Sequence, residues 1–247
     1  MKIAIAQTKP VKGDIESNIL NHERFILKAA ELGANAIVFP ELSLTGYEPR
    51  MAYQLAATAG DGRFSIFDEL SVRHRIHVAV GMPLRGAGGI IIAMVIFSGG
   101  ERQVYTKEYL HEDELPFFIN GKNEMLPFEA ENKLSLAICY ELSMEQHSEK
   151  AFRRGSHLYV AGVAKTQAGV ESAAAQLSVI AKKYSMVVIM SNCVGTCDDF
   201  MCGGGSAAWN NRGELMGRLG SEEEGLLVVD TVKQELVELI NIGSQVV

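Results

Sequence analysis

LSLAICYELSMEQHSEKAFRRGSHLYV, residues 134–160, decides the fold class. Leu134 to Ile138 is an apolar run of strand length. Ser143 then offers a side-chain oxygen to cap a helix that would end near Gly155. Leu158 to Val160 is apolar again. A strand, a helix and a strand in so short a span form a crossover unit, and such crossovers join parallel strands. Strands without polar alternation are buried on both faces, so helices must cover their sheet.

The alternation continues outward. Upstream, Lys2 to Gln7 and Ala36 to Phe39 read as strands. Asp14 caps a helix reaching about Leu32, with Gly33 as its stop. A helix is expected from about Ile66 to Arg75. Strands follow at His77 to Met82, Gly89 to Phe97 and Gln103 to Thr106, the last two joined by a hairpin at Ser98-Gly99-Gly100. Downstream, a helix spans about Val170 to Tyr184 and a strand Met186 to Met190. Strands are expected at Ser206 to Trp209, Leu215 to Leu219 and Leu226 to Val229, and a short amphipathic helix near Val232 to Leu239. Residues 107–133 and 192–205 show no period and read as long loops, which in compact domains are usually functional. The pattern is α/β in one domain, residues 1–247, with no linker and no repeat.

Composition narrows the function. The chain has 247 residues, 47% of them hydrophobic, and a net charge of −7. That suffices for a large core. No dense Lys/Arg run is present, so nucleic acid is not an expected partner. No apolar run reaches membrane-spanning length. The first ten residues read as a strand rather than an export signal, and four cysteines are too few for a disulfide scaffold. A reducing, cytoplasmic setting is expected.

Ligands of α/β sheets sit outside the carboxyl ends of the strands. Three strand ends carry chemistry there: Glu41, Lys107 and Cys139. A free cysteine is usually a small buried hydrophobe. Cys139, however, stands where a helix is about to begin, and helix N–H groups with a nearby lysine favour a thiolate. His22, His74, His77, His111, His147 and His157 each read as surface or packing residues, none at a strand end beside the thiol. Glu41 is the better base, because burial would raise its pKa into a useful range.

Pro40-Glu41-Leu42-Ser43-Leu44-Thr45-Gly46-Tyr47 resembles the first signature of the nitrilase, or carbon–nitrogen hydrolase, superfamily. Val104-Tyr105-Thr106-Lys107 resembles the second and Leu136-Ala137-Ile138-Cys139-Tyr140-Glu141 the third. The opening Ile3-Ala4-Ile5-Ala6-Gln7 and the late Gly205-Ser206 also sit where the family has similar residues. The resemblance runs through nearly the whole chain. It implies a four-layer α-β-β-α sandwich of two stacked mixed sheets, usually dimerised. It also implies a thiol hydrolase of carbon–nitrogen bonds, with Glu41 as base, Cys139 as nucleophile and Lys107 at the oxyanion. Glu114 matches the family's second glutamate best, with Glu112 and Glu124 as rivals. Tyr47, Tyr140, Glu141, Ala164 and Lys165 are expected around the oxyanion and substrate. No metal or cofactor is implied.

Two departures bear on the substrate. Ser143-Met144-Glu145-Gln146 replaces the Pro-Glu pair that many members carry after the cysteine, and Ala181-Lys182-Lys183-Tyr184 replaces an Ala-x-Glu-Asn run. No arginine follows Cys139, so this segment does not favour a carboxylate-bearing substrate, although Arg50 or Lys165 would serve. Glu141, Asp198 and Asp199 suit a neutral or cationic amide. Nitrile hydrolysis, an ammonia-supplying glutaminase working with a synthetase, and a non-catalytic thiol sensor stay open. Cys193, Cys197 and Cys202 share one loop, fit no zinc-finger spacing, and are expected on a rim of the pocket.

Overall fold

The computed structural model describes residues 1–242. The chain opens with β1 (Lys2–Gln7), α1 (Ile15–Glu31), β2 (Ala36–Val38), α2 (Ala52–Leu55) and α3 (Ser65–His74). The strands β3 (His77–Gly86), β4 (Gly89–Ser98) and β5 (Glu101–Thr106) follow, then α4 (Pro127–Asn132) and β6 (Leu134–Ile138). Next come α5 (Glu145–Arg153), β7 (Leu158–Gly162), α6 (Gln167–Tyr184) and β8 (Val187–Ser191). The described chain ends with β9 (Val194–Cys197), β10 (Phe200–Gly203), β11 (Ala207–Trp209), β12 (Leu215–Arg218), β13 (Gly225–Asp230) and β14 (Glu235–Asn241).

These strands form two mixed sheets. One has the order β14-β13-β1-β2-β3-β4-β5, the other β12-β11-β8-β7-β6. Within the second, β6, β7 and β8 are parallel, as the crossover pattern of residues 134–160 requires. Side-chain alternation in β1 sorts the layers. Ile3 and Ile5 meet Leu136, Ile138, Val160 and Ile189 between the sheets. Ala4 and Ala6 face outward, against Ile19, Phe25 and Ile26 of α1 and Phe67 and Leu70 of α3. On the far side, Val170, Leu177 and Ile180 of α6 cover Ala161, Val188 and Met190. The result is helices, sheet, sheet, helices. Phe25 is fully buried, and its truncation to Ala would cost about 3–5 kcal/mol.

Three segments differ from their sequence reading. Val232 to Leu239 is not a helix: Glu235–Asn241 is a strand, paired antiparallel with β13 through Leu227↔Leu239 and Leu226↔Ile240. The exposed edge of β13 supplies hydrogen-bond partners that outweigh a short helical period. Asp230 drives the turn by accepting the backbone N–H groups of Val232 and Lys233 at 2.9 and 3.0 Å. The loop 192–205 contains the antiparallel hairpin β9–β10. Ser143 does not cap α5: a 3-10 turn spans Cys139–Ser143, and the helix begins at Glu145 after Met144, without a side-chain cap.

Candidate active site

Sheet direction brings the first two residues together. β2 and β3 are parallel, and two antiparallel steps, β3 to β4 and β4 to β5, restore the original direction. Glu41 and Lys107 therefore leave the same end of one sheet. The turn carrying Glu41 needs Leu42 at a φ of +50° and a bare backbone opposite it. Gly81 provides the latter, since a Cβ there would collide with Leu42 N and Pro40 O. The other sheet reaches the same turn at Gly162, where a Cβ would stand 2.9 Å from Phe39 O and 3.4 Å from Glu41 N. His22 packs behind it, stacked on Phe39 at 4.0 Å and bonded to Ser43 Oγ at 2.9 Å. Burial pushes its pKa down to about 3, so it is a neutral packing residue, as its mid-helix position implied.

Lys107 is fully buried. Its Nζ donates to Glu41 Oε1 at 2.7 Å and to Glu114 Oε1 at 2.5 Å. Glu114 also accepts from Tyr47 OH at 3.1 Å and from the His111 N–H at 2.8 Å. Its sequence rivals Glu112 and Glu124 are exposed. Cys139 ends β6 on the opposite sheet, at a φ of +44°, where a non-glycine residue is strained by roughly 1–3 kcal/mol. That sharp corner turns its sulfur toward a cleft of about 300 Å³ lined by Tyr47, Glu114, Tyr140, Ala164, Lys165 and Phe200, among others.

The electrostatics are unequal. Burial pushes Glu41 up to about 7; Lys107 opposes the rise, the charge of Glu114 adds to it, and the adjoining Cys139 thiol lowers it slightly. Burial lowers the Lys107 pKa, but Glu41, Cys139 and Glu114 outweigh it and hold the ammonium well above its ordinary value. Cys139 differs from the expectation of a thiolate. Burial, with the charge of Glu41, raises it to about 11, against the opposing pull of Lys165 and Lys107. Desolvation here exceeds what a helix start and two lysines return. A value near 11 favours the thiol form at neutral pH, and the carboxylate of Glu41 adjoins it. Among the described residues, the second oxygen of Glu41, Oε2, is buried without a hydrogen-bond partner.

Tyr47, Tyr140, Ala164 and Lys165 line the cleft with Cys139. Glu141 does not. It is fully buried behind Cys139, where its carboxylate accepts the N–H groups of Ile138 at 2.7 Å and Glu108 at 2.6 Å and the hydroxyl of Tyr105 at 2.8 Å. It braces the corner and has no free oxygen for a substrate. His147 completes that network through Tyr105 OH and Tyr159 OH, both at 2.8 Å. Asp198, Asp199 and Arg50 are also absent from the lining. His111, Asp113, Thr166, Gly169 and Phe200 are present in it and escaped the sequence reading. The signal for His111 and Asp113 was their place between Lys107 and Glu114; Phe200 had none, because its hairpin was read as a loop.

Comparisons with known proteins agree with this fold. The family model described as "Carbon-nitrogen hydrolase" matches residues 2–241. A protein of Schizosaccharomyces pombe named "Probable nitrilase" is 25% identical over 91% of this chain and 86% of its own length. The glutamine-dependent NAD(+) synthetase of Thermotoga maritima is 24% identical over 93% of this chain, which spans only 42% of that relative. A solved amidase from Nesterenkonia sp. AN1 superposes with a TM-score of 0.84 at 25% identity, covering 93% of this chain and 90% of the other. That structure is a glutamate-to-leucine variant carrying the acetamide moiety of fluoroacetamide on its active-site cysteine. The matched residues and the shared sandwich lead to one assignment: the chain belongs to the carbon–nitrogen hydrolase family, enzymes that hydrolyse carbon–nitrogen bonds other than peptide bonds.

Proposed function

We propose that this enzyme is an amidase of small molecules in which Glu41, Lys107 and Cys139 form the catalytic set and Glu114 positions the lysine. The observation that carries the reading is Lys107 Nζ bound to one oxygen of Glu41 while the Cys139 thiol adjoins the same buried carboxylate and lowers its pKa. Cys139 Sγ attacks the amide carbonyl carbon as Glu41 takes its proton. The developing oxyanion is met by Lys107 and by the backbone N–H of Tyr140, which lies in the first turn of a 3-10 helix and so has no partner within it. Preorganised donors of this kind are worth roughly 3–4 kcal/mol each. Glu41 then protonates the leaving nitrogen, and ammonia or an amine departs from a thioester. Water, deprotonated by the same glutamate, cleaves the thioester and regenerates the thiol.

Lys165 points to the substrate class. It lines the cleft near enough to Cys139 to lower the thiol's pKa, and no side chain neutralises its ammonium among the described residues. An amide bearing a carboxylate at its far end supplies the missing charge. This departs from the reading built on Glu141, Asp198 and Asp199, none of which lines the cleft. The glutaminase alternative draws on relatives more than twice the length of this chain. A homodimer is our proposed assembly, supported by exposed Phe152 and Val179 on the outer helices α5 and α6. The four free cysteines suit a reducing, cytoplasmic compartment.

The test is ammonia release from a panel of neutral amides, carboxylate-bearing amides, carbamoyl compounds and nitriles, with Cys139→Ala as control. Turnover of an amide that disappears in the folded variant is expected. Undiminished turnover in Cys139→Ala would end the proposal.

A further inference from the structure

The hairpin β9–β10 holds a second cluster of reactive side chains that the hydrolysis does not use. Cys193 immediately precedes β9, Cys197 ends it, and Cys202 lies on β10. Register brings them together. Cys202 pairs with Gly195, midway between the other two, so all three side chains leave one face of the ribbon. The sulfurs stand 2.8 Å apart for Cys193 and Cys202, 2.8 Å for Cys202 and Cys197, and 3.7 Å for Cys193 and Cys197. All three are free thiols, at most 2% exposed.

We propose that Cys193, Cys197 and Cys202 form a three-sulfur site for a soft monovalent cation, Cu(I). Sulfur donors alone exclude the hard cations that need oxygen ligands. Among the described residues, no His, Asp or Glu joins the three sulfurs as a fourth ligand. Structural zinc is almost always four-coordinate, and iron–sulfur clusters draw on four protein ligands. Three thiolates around one ion match the low coordination number of Cu(I). A metal–sulfur bond of about 2.3 Å sets sulfurs about 4 Å apart in a trigonal plane, so the two short contacts open by about 1 Å. Binding displaces thiol protons to solvent.

The site would staple the wall of the catalytic cleft. Phe200, on the same hairpin, lines that cleft and packs on Tyr47 with ring centroids 5.8 Å apart. The Tyr47 backbone N–H is bonded to the Cys197 sulfur, and the Tyr47 hydroxyl to Glu114. The metal would thus lie one residue from the positioning glutamate without touching the reacting atoms.

The experiment uses the full chain with Cys139→Ala, so that the catalytic thiol is not counted. Cu(I) is titrated anaerobically against a competing chromogenic chelator, with Zn(II) as comparator. One equivalent per chain is expected, with Cys193, Cys197 and Cys202 protected together from alkylation in peptide mapping. Cys197→Ser or Cys202→Ser should weaken binding by more than the roughly 10–100-fold that loss of an outer-shell partner costs. Should those variants misfold, the protection pattern of the parent still decides. No copper uptake with all three thiols free, uptake unchanged in both serine variants, displacement of Cu(I) by Zn(II), or a disulfide within the trio in freshly purified protein would each overturn the assignment.

Discussion

Lys107 Nζ stands 2.7 Å from Glu41 Oε1, inside a site where neither side chain has any solvent exposure. A second carboxylate, Glu114, reaches the same ammonium. The site thus holds one cation and two acids, and burial carries Glu41 up to about 7.

The pH profile should report it. The proposed mechanism needs Glu41 as carboxylate, so kcat/KM is expected to fall as pH drops through about 7. Lys107 holds its proton through the working range, so no matching alkaline loss should arise from it. A profile flat from pH 5 to 8 would contradict Glu41 as base.

The same group affects stability. Its folded pKa lies above its unfolded value, so folding favours the protonated form. That contribution is fully present below about 4.5 and lost as pH rises through about 7. Glu41→Gln should therefore be inactive yet more stable than the parent at pH 8, by roughly 1–3 kcal/mol, or a few degrees in Tm. The gap should close toward pH 5, and calorimetry at the two pH values measures it.

Lys107→Met should lower kcat by about 10²–10³-fold while changing KM little, because the ammonium meets charge that exists only in the transition state. It also leaves two buried carboxylates without their cation, and roughly 3–5 kcal/mol of stability should go with it. A rise in KM at constant kcat would instead make Lys107 a substrate-binding residue.

Lys165→Met should raise KM for carboxylate-bearing amides about tenfold or more and leave KM for neutral amides unchanged. Equal effects on both classes would remove the charge argument.

Gly81→Ala tests the seating of the catalytic turn. The new methyl meets Leu42 N and Pro40 O, both backbone atoms unable to swing aside. About 1–3 kcal/mol of stability should be lost, and activity far more steeply, since Glu41 moves with the turn. Circular dichroism and ammonia release on one preparation separate the two effects.

Much of this was legible in the sequence. The runs 134–138, 158–160 and 186–190 are buried along their whole length and read as strands covered on both faces, β7 and β8 inside their sheet and β6 at its edge. Each of Glu41, Lys107 and Cys139 is marked by standing just after a strand, β2, β5 and β6. What escaped depends on partners distant in the chain. β14 is a strand because β13 offers it an edge, and the strand residues Leu236 and Leu239 fit a helical period equally well. β9–β10 is hidden by Gly195, Gly203 and the turn residues Asp198 and Asp199, types depleted in strands. Burial was invisible too: it put Glu141 behind the cleft and turned an expected thiolate at Cys139 into a thiol.

Glu41 and Lys107 hang from one sheet and Cys139 from the other. The proposed base and nucleophile are thus mounted on opposite slabs, which touch at Gly162. A sideways slip of the slabs by the width of one carbon would silence the chemistry with every strand and helix intact. Turnover is therefore a gauge of how the slabs are stacked, and on heating it should fail before the far-ultraviolet signature does.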